Sequence, residues 1–372
     1  MPKTFVAMSG GVDSSAAACL LQKAGHQVVG LHMHLWCEEK QGKGAQRRQC
    51  CNADDVRDAE DVCRRLGIPF YVLNFEKEFQ EHVVDYFCRE YGRGRTPNPC
   101  LACNEHIKFR LLLRRALELG GDYLATGHYA RIERNRDGYR LLRGTDPAKD
   151  QSYFLYMLGQ KELRHLLFPV GGLTKSEVRR HAADAGLPVA KKADSVEVCF
   201  VADGDYRPFV AASGHGGLAE GDIVDLNGNV LGRHQGLAGY TIGQRHGVGL
   251  GGGKKVYVVG MDVSGNRLVV GPEEALYSGA LIAGQVKWVS AQAPYGEFRC
   301  EAKVRYRSAG AEAIVLLEGE RVMARFREPQ RAVTPGQAVV LYRGEEVIGG
   351  GIIERALGRA EPGRGLSGGP AS

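Results

Sequence analysis

The sequence predicts an α/β domain built on a parallel sheet, then a small β-rich region, then a closed β-barrel. Three observations predict it. Strand-like apolar runs alternate with helix-like segments through the first part of the chain, the pattern of a parallel sheet with helices on both faces. After about residue 205 helical periodicity fades and glycine becomes dense. From about Ala283 short alternating runs follow at regular spacing, as in a small barrel. The expected units are 1–204, 205–281 and 282–356. A Gly-, Pro-, Arg- and Ser-rich tail at 357–372 is expected to be disordered.

The elements follow in order. Thr4–Met8 is an apolar run ending in a glycine-rich turn. Ser14–Ala24 is alanine-rich and helical, and Gly25 stops it. Gln27–Leu35 is a second strand. Asn52 caps a helix through Leu66, with Asp55 in its first turn. Phe70–Asn74 is a third strand, Glu76–Tyr91 a helix, and Asn104–Leu119 a helix ended by Gly120. Tyr123–Thr126 is a fourth strand. Thr174 and Glu177 form a capping box that opens a helix ending before Gly186. Ile223–Leu231 is a hairpin turning at Asn227-Gly228. Lys254–Met261 and Arg267–Val270 are strands. The barrel runs are Gln285–Val289, Glu301–Arg307, Ala313–Leu317, Arg321–Phe326, Ala338–Tyr342 and Val347–Ile353.

Of 372 residues, 44% are apolar, enough for real cores, and the net charge of +6 suits an anionic partner without specifying one. No apolar run reaches 18 residues, so no membrane span is expected. The N-terminus lacks the apolar core of a signal peptide, which points to the cytoplasm. In that reducing compartment the 10 cysteines do not read as a disulfide framework. Cys19, Cys63 and Cys88 fall in helical patterns and read as small buried hydrophobes.

Ser9-Gly10-Gly11-Val12-Asp13-Ser14-Ser15, between the first strand and the first helix, has the makings of a phosphate cradle. Glycines allow close backbone approach. The helix N-terminus offers unpaired N–H groups and a positive dipole end. The serines add hydroxyls, and Asp13 is a candidate magnesium ligand. No Gly-Lys-Ser/Thr follows, which disfavours a Walker-type loop. Adenosine is expected at the carboxyl edge of the sheet, with Met33 and Gly127 as candidate contacts.

The second chemical signal is Thr96-Pro97-Asn98-Pro99-Cys100-Leu101-Ala102-Cys103-Asn104. The prolines predict an irregular segment. Cys103 then falls just before the expected helix, where the dipole stabilises a thiolate. Cys199, in Ser195–Phe200, is a second candidate. One such thiol can carry sulfur as a persulfide while the other releases it by disulfide exchange. Cys50-Cys51 reads as a packed pair before a helix, since adjacent cysteines rarely bridge each other.

Ser-Gly-Gly-Val-Asp-Ser-Ser resembles the PP-loop of ATP pyrophosphatases. Together with Cys50-Cys51-Asn52, the TPNPCLACN segment, Ala125–Ala130, Lys149–Leu155 and Val198–Phe200, it resembles the tRNA-specific 2-thiouridylases over all but the tail. The resemblance implies a HUP-like PP-loop catalytic domain using ATP and Mg2+. It implies thiolation of the wobble uridine of tRNAs for Lys, Glu and Gln, with sulfur from a cysteine desulfurase or a sulfur-carrier protein. It implies Cys103 as nucleophile and Cys199 as persulfide carrier. ATP contacts fall on Ala7, Met8, Ser9, Gly10, Gly11, Val12, Asp13, Ser14, Met33 and Gly127. The target base falls beside Asn98, Pro99 and Cys100. Lys149, Asp150, Gln151 and His128 match tRNA-facing positions, as do Arg305, Tyr306 and Gln337 in the barrel. Many relatives carry Asp where Cys100 stands. Cys100, Cys103 and Cys199 could therefore instead ligate a [4Fe–4S] cluster that carries sulfide.

Arg131, Arg134, Arg136, Arg140 and Arg143 sit on an expected hairpin turning at Asp137-Gly138 and are candidate phosphate contacts. Arg93 and Arg95, the basic face of the helix after Cys103, and the barrel's Lys303, Arg307, Arg325 and Arg327 join them. The rival readings are an amide-forming PP-loop enzyme, a thiolase acting at another tRNA position, and an RNA-binding protein with a degenerate loop.

Overall fold

The computed structural model describes residues 1–35, 53–194, 200–201, 206–214, 216–217, 219–250, 255–290 and 292–358. Cys50, Cys51 and Cys199 lie outside these, as do residues 359–372 of the expected tail.

The first sheet is formed by β1 (Lys3–Ala7), β2 (Gln27–His34), β3 (Phe70–Asn74) and β4 (Tyr123–Ala125). A hairpin of β5 (Ala130–Asn135) and β6 (Gly138–Arg143) follows, and the short β7 (Leu166–Leu167) completes the sheet. The order is β3-β2-β1-β4-β7, with every pairing parallel. Alternate residues serve opposite faces. Phe5, Val29 and Leu31 enter one core with the helices over 76–92 and 99–118. Val6 and Val28 enter another with α1 (Val12–Lys23) and the helices Ala53–Leu66 and Lys175–Asp184. Cys19, Cys63 and Cys88 are buried, as expected. The chain builds from β1 out to β2 and β3, then crosses to β4 on the other side. Such a reversal opens a ligand crevice at the carboxyl ends of the strands.

The second sheet contains β8 (Gly221–Val224), β9 (Val230–His234), β10 (Tyr257–Asp262) and β11 (Arg267–Gly271), in the order β10-β11-β8-β9. Its expected turn is present, with Gly228 at φ +87° and the Asp225 carboxylate accepting from the amides of Asn227 and Asn229.

The barrel contains β12 (Tyr277–Trp288), β13 (Glu297–Lys303), β14 (Ala311–Glu318), β15 (Arg321–Arg331), β16 (Ala338–Arg343) and β17 (Glu346–Leu357). Pairing of β12 with β17 closes six strands around Leu281, Val315, Val322, Leu341 and Ile353. The first barrel strand begins five residues before position 282, because Tyr277 and Ser278 pair with Arg331 and Gln330. The last strand runs through Leu357.

The hairpin is joined to the barrel. Leu142 of β6 pairs with Glu346 of β17, so the hairpin extends the barrel's sheet. Three of its arginines meet barrel carboxylates: Arg131 meets Glu345 at 2.9 Å, Arg140 meets Glu346 at 3.0 Å and Arg143 meets Glu301 at 2.5 Å. Arg143 also lies over the Tyr342 ring, 4.1 Å from its centre. These three cations are paired with barrel carboxylates, while Arg134 and Arg136 remain exposed. No helix among the described residues is long and apolar enough to cross a membrane.

Candidate active site

The loop from Ser9 to Ser15 occupies the crevice. Gly10 has φ +71°, and a Cβ there would meet the Asp55 carbonyl oxygen at 2.3 Å, so both conformation and space demand glycine. Ser14 Oγ sits 3.2 Å from the Ser9 amide and donates to the Gly11 carbonyl at 3.1 Å. Ser15 Oγ donates to the same carbonyl at 2.8 Å. The hydroxyls thus brace the turn and leave the first amides of α1 facing the crevice. Gly127 is brought to this loop: a Cβ there would lie 2.6 Å from the Ser14 nitrogen. Met33, near the end of β2, is half-buried against the core.

Asp13 is not arranged as a magnesium ligand. The Lys175 ammonium donates to both its carboxylate oxygens at 2.8 Å, and the Tyr129 hydroxyl donates to one at 2.7 Å. A cation on those oxygens would abut the ammonium, so the residues present do not fit magnesium held by Asp13. Burial, with the charge of Asp13, pushes the Tyr129 hydroxyl far above its ordinary range and keeps it a donor. Lys175 also meets Asp194 at 2.8 Å. Asp194 in turn holds Lys149 at 2.8 Å and Arg179 at 2.9 Å. Burial of Asp194 opposes its charge, but hydrogen bonds from Lys149 and Lys175 outweigh that and bring its carboxyl down to about 2. On the loop's other flank, Lys192 donates to the Gly10 carbonyl at 3.0 Å and to Asp55 at 2.6 Å. Tyr129, Lys175, Lys192 and Asp194 were not singled out from sequence. The Thr174–Glu177 box located the helix that begins with Lys175, but nothing local said that this helix end faces the loop.

The cysteine segment differs from expectation in a defined way. The helix begins at Pro99, not Asn104, and runs continuously to Glu118, with wider i→i+5 turns over Cys103–Leu112. Proline suits the first helical position because no N–H is required there. Asn98 caps the helix, its side-chain oxygen accepting from the Cys100 amide at 3.1 Å. Cys100 is therefore the exposed residue of the first turn, while Cys103 lies one turn inside and is 8% exposed. Pro99 is buried. Among the described residues no group of three or more His, Cys, Asp or Glu side chains is arranged to hold a metal ion, and Cys199 lies outside them.

The segment 127–154 spans from the loop to the cysteine helix. Tyr129, which holds Asp13, has its amide on Gln151 Oε1 at 3.0 Å. Three residues on, the Phe154 carbonyl accepts from Asn104, the neighbour of Cys103, at 3.0 Å. His128 packs at a tilt against Phe109 of that helix, ring centres 5.7 Å apart, and its Nδ1 lies 2.6 Å from the Thr126 hydroxyl. Burial, then the charge of Lys108, lowers its pKa well below the usual value and keeps the ring neutral near pH 7.

Other side chains matched to tRNA-facing positions have partners within the chain. The Asp150 carboxylate accepts from the amides of Gly144 and Ser152, both at 3.0 Å, and is buried. Arg305 donates to Thr334 Oγ1 at 3.0 Å and to the Ala332 carbonyl. Tyr306 packs on Phe154 at 4.4 Å. Gln337 donates to the Thr96 carbonyl at 2.8 Å, and the Thr96 amide donates to the Pro335 carbonyl at 2.9 Å. The Gln337 and Pro335 contacts join the barrel to the segment that carries Asn98, and Tyr306 joins it to Phe154.

Comparison with known proteins decides the family. Residues 2–203 match the tRNA methyl transferase HUP domain, 212–272 the tRNA methyl transferase PRC-barrel domain and 278–353 the aminomethyltransferase beta-barrel domain. A tRNA-specific 2-thiouridylase MnmA of Geobacter metallireducens is 52% identical over 359 residues, spanning 95% of this chain and 97% of that protein. The chain belongs to the tRNA-specific 2-thiouridylase family. Family proteins of Chloroflexus aurantiacus, at 51% identity, and Roseiflexus castenholzii, at 49%, are likewise matched over 95% of this chain and 99% and 100% of their own lengths. The family's order of a HUP domain, a middle barrel-type domain and a C-terminal barrel agrees with the three sheets described above.

Proposed function

We propose that this chain is a cytoplasmic, ATP-dependent tRNA 2-thiouridylase acting on the wobble uridine of tRNAs for Lys, Glu and Gln. The observation that carries the reading is the continuous path from Asp13 through Tyr129 and Gln151 to Phe154 and Asn104, which ties the phosphate-type loop to the helix of Cys103. An amide-forming enzyme would have no use for the Cys103 thiol at the end of that path.

The loop amides over Gly10–Ser14 hold the phosphates of ATP, and Lys175 and Lys192 flank them with positive charge. ATP supplies a leaving group for the base oxygen. Asn98, Pro99 and Cys100 orient the flipped uridine. Its O2 attacks the α-phosphorus and pyrophosphate departs. Cys199 carries a persulfide loaded by a cysteine desulfurase or sulfur-carrier protein. In one route the Cys103 thiolate attacks the Cys199 sulfur, forming a disulfide and releasing hydrosulfide, which adds at C2 as AMP leaves with the original oxygen. In the other, the terminal persulfide sulfur attacks C2 first, AMP leaves, and Cys103 then frees the thiolated base. Both end in a Cys103–Cys199 disulfide that an external thiol reductant resets. No step is assigned to magnesium on Asp13 or to an iron–sulfur cluster.

The test is anaerobic thiolation of tRNA with ATP and a sulfide or persulfide source, comparing iron-free and iron-reconstituted enzyme. Formation of 2-thiouridine by iron-free protein, lost in Cys199→Ala and Cys103→Ala but kept in Cys100→Ala, is the expected result. Activity only after reconstitution, lost in Cys100→Ala too, would replace the persulfide route with a cluster.

A further inference from the structure

A cavity of about 540 Å³ opens between the helix over 99–118 and the barrel. Asn98, Leu101, Ala102 and Glu105 form its helix side, and Cys103 is not among its lining residues. It is therefore a neighbour of the cysteine site, sharing Asn98 at the rim. The barrel side carries Gln285, Lys287, Trp288 and Arg321.

Two features mark this wall as built. Gln285 has φ +51°, a left-handed conformation unusual for a residue with a side chain. It sits where the pairing of β12 with β17 slips between Gly284 and Lys287, so the bulge removes it from the ladder. Outlying backbone of this kind persists where surrounding structure fixes it, often at ligand sites. Trp288 is seated by a close backbone approach: a Cβ on Gly349 would come within 2.7 Å of its ring, and Phe298 meets it edge-on at 6.3 Å. The indole is held in one place while remaining half-exposed.

We propose that this cavity binds one nucleotide of the anticodon loop adjacent to the uridine being thiolated, its base against Trp288 and its backbone toward Lys287. The inference rests on the tRNA reading above. The volume suits a single nucleotide. An aromatic face, hydrogen-bonding amides on Asn98 and Gln285, and exposed cations beside them are the groups that hold unstacked bases with little sequence demand. Glu105 and Glu320 share the lining with Lys287 and Arg321, so stacking and hydrogen bonds, rather than net charge, provide the grip. Because the walls come from both domains, the site makes the barrel a direct reader of the loop being modified.

The experiment uses full-length enzyme and an anticodon stem-loop RNA, intact or abasic at the nucleotide 5′ or 3′ of the target. With wild type, one abasic RNA should raise KM about tenfold with kcat little changed. Trp288→Leu should show the raised KM on intact RNA and lose sensitivity to that abasic site. Gln285→Gly, which relaxes the backbone, and Lys287→Glu, at an exposed position, should raise KM in parallel. The proposal is overturned if both abasic RNAs affect wild type and Trp288→Leu equally, or if Gln285→Gly and Lys287→Glu leave KM unchanged. If wild type does not thiolate intact RNA, the functional reading fails and the cavity is judged separately. Trp36 and Trp288 are the two tryptophans, so Trp36→Phe isolates the Trp288 emission. Quenching by intact but not abasic stem-loop supports the site, whereas quenching only by a protein sulfur donor overturns it.

Discussion

Lys175 grips Asp13 with both carboxylate oxygens 2.8 Å from its ammonium, and the Lys175 side chain is only 13% exposed. Replacing it leaves Asp13 and Asp194 facing each other without the shared cation. Lys175→Met should cost about 2 kcal/mol, the scale of hydrogen bonds to charged groups, and should depress thiolation further because the loop loses its flanking charge. Urea unfolding and turnover measure the two effects. A stability loss below about 0.5 kcal/mol, the level of an ordinary surface pair, would count against the role given to Lys175.

Asp194 predicts a pH dependence. Its folded pKa, about 2, lies below its ordinary value of 3.8. A depressed carboxylate stabilises the fold above its unfolded pKa and loses that contribution as pH falls through the folded one. The stability difference between wild type and Asp194→Asn should therefore be full at pH 7 and shrink from about pH 4 toward pH 2. Urea midpoints across that range decide it, and a difference that grows on acidification would contradict the assignment.

Gly10→Ala tests the loop. Its φ of +71° and the Asp55 carbonyl 2.3 Å from a built Cβ oppose any side chain. Strain of this kind costs about 1–3 kcal/mol. Adenylation should fall more than stability does, since α1 would have to shift away from the phosphates. Pyrophosphate release beside thermal unfolding separates the two.

Arg140 is engaged by Glu346 at 3.0 Å. Arg140→Ala should leave the slope of log affinity against log salt for tRNA unchanged, because no phosphate contact is lost. A slope reduced by about one unit would return this arginine to the RNA surface.

The parallel sheet, the loop and the barrel were legible because each imposes a local period or a fixed turn. Phe70–Asn74 agrees residue for residue, and the Thr174–Glu177 box is present. The start of the cysteine helix was misread because two prolines suggest irregular chain, whereas the second takes the one helical position that suits it. The fates of Asp150, Arg305 and Gln337 were illegible for another reason. A polar residue's partner lies in the fold: Gln337 reaches Thr96 across 241 positions of sequence. Likewise Lys175 and Asp13 are 162 positions apart, and only the packing of two helices brings them together.

The hairpin over 130–143 gives the protein a woven rather than a strung architecture. Its chain is made with the catalytic half, yet its outer edge and three arginines belong to the barrel. A barrel exchanged between relatives at a cut near residue 282 would split β12 and strand Glu301, Glu345 and Glu346 opposite foreign partners. A chimera that carries the hairpin with the barrel keeps these pairs and the β6–β17 contact together.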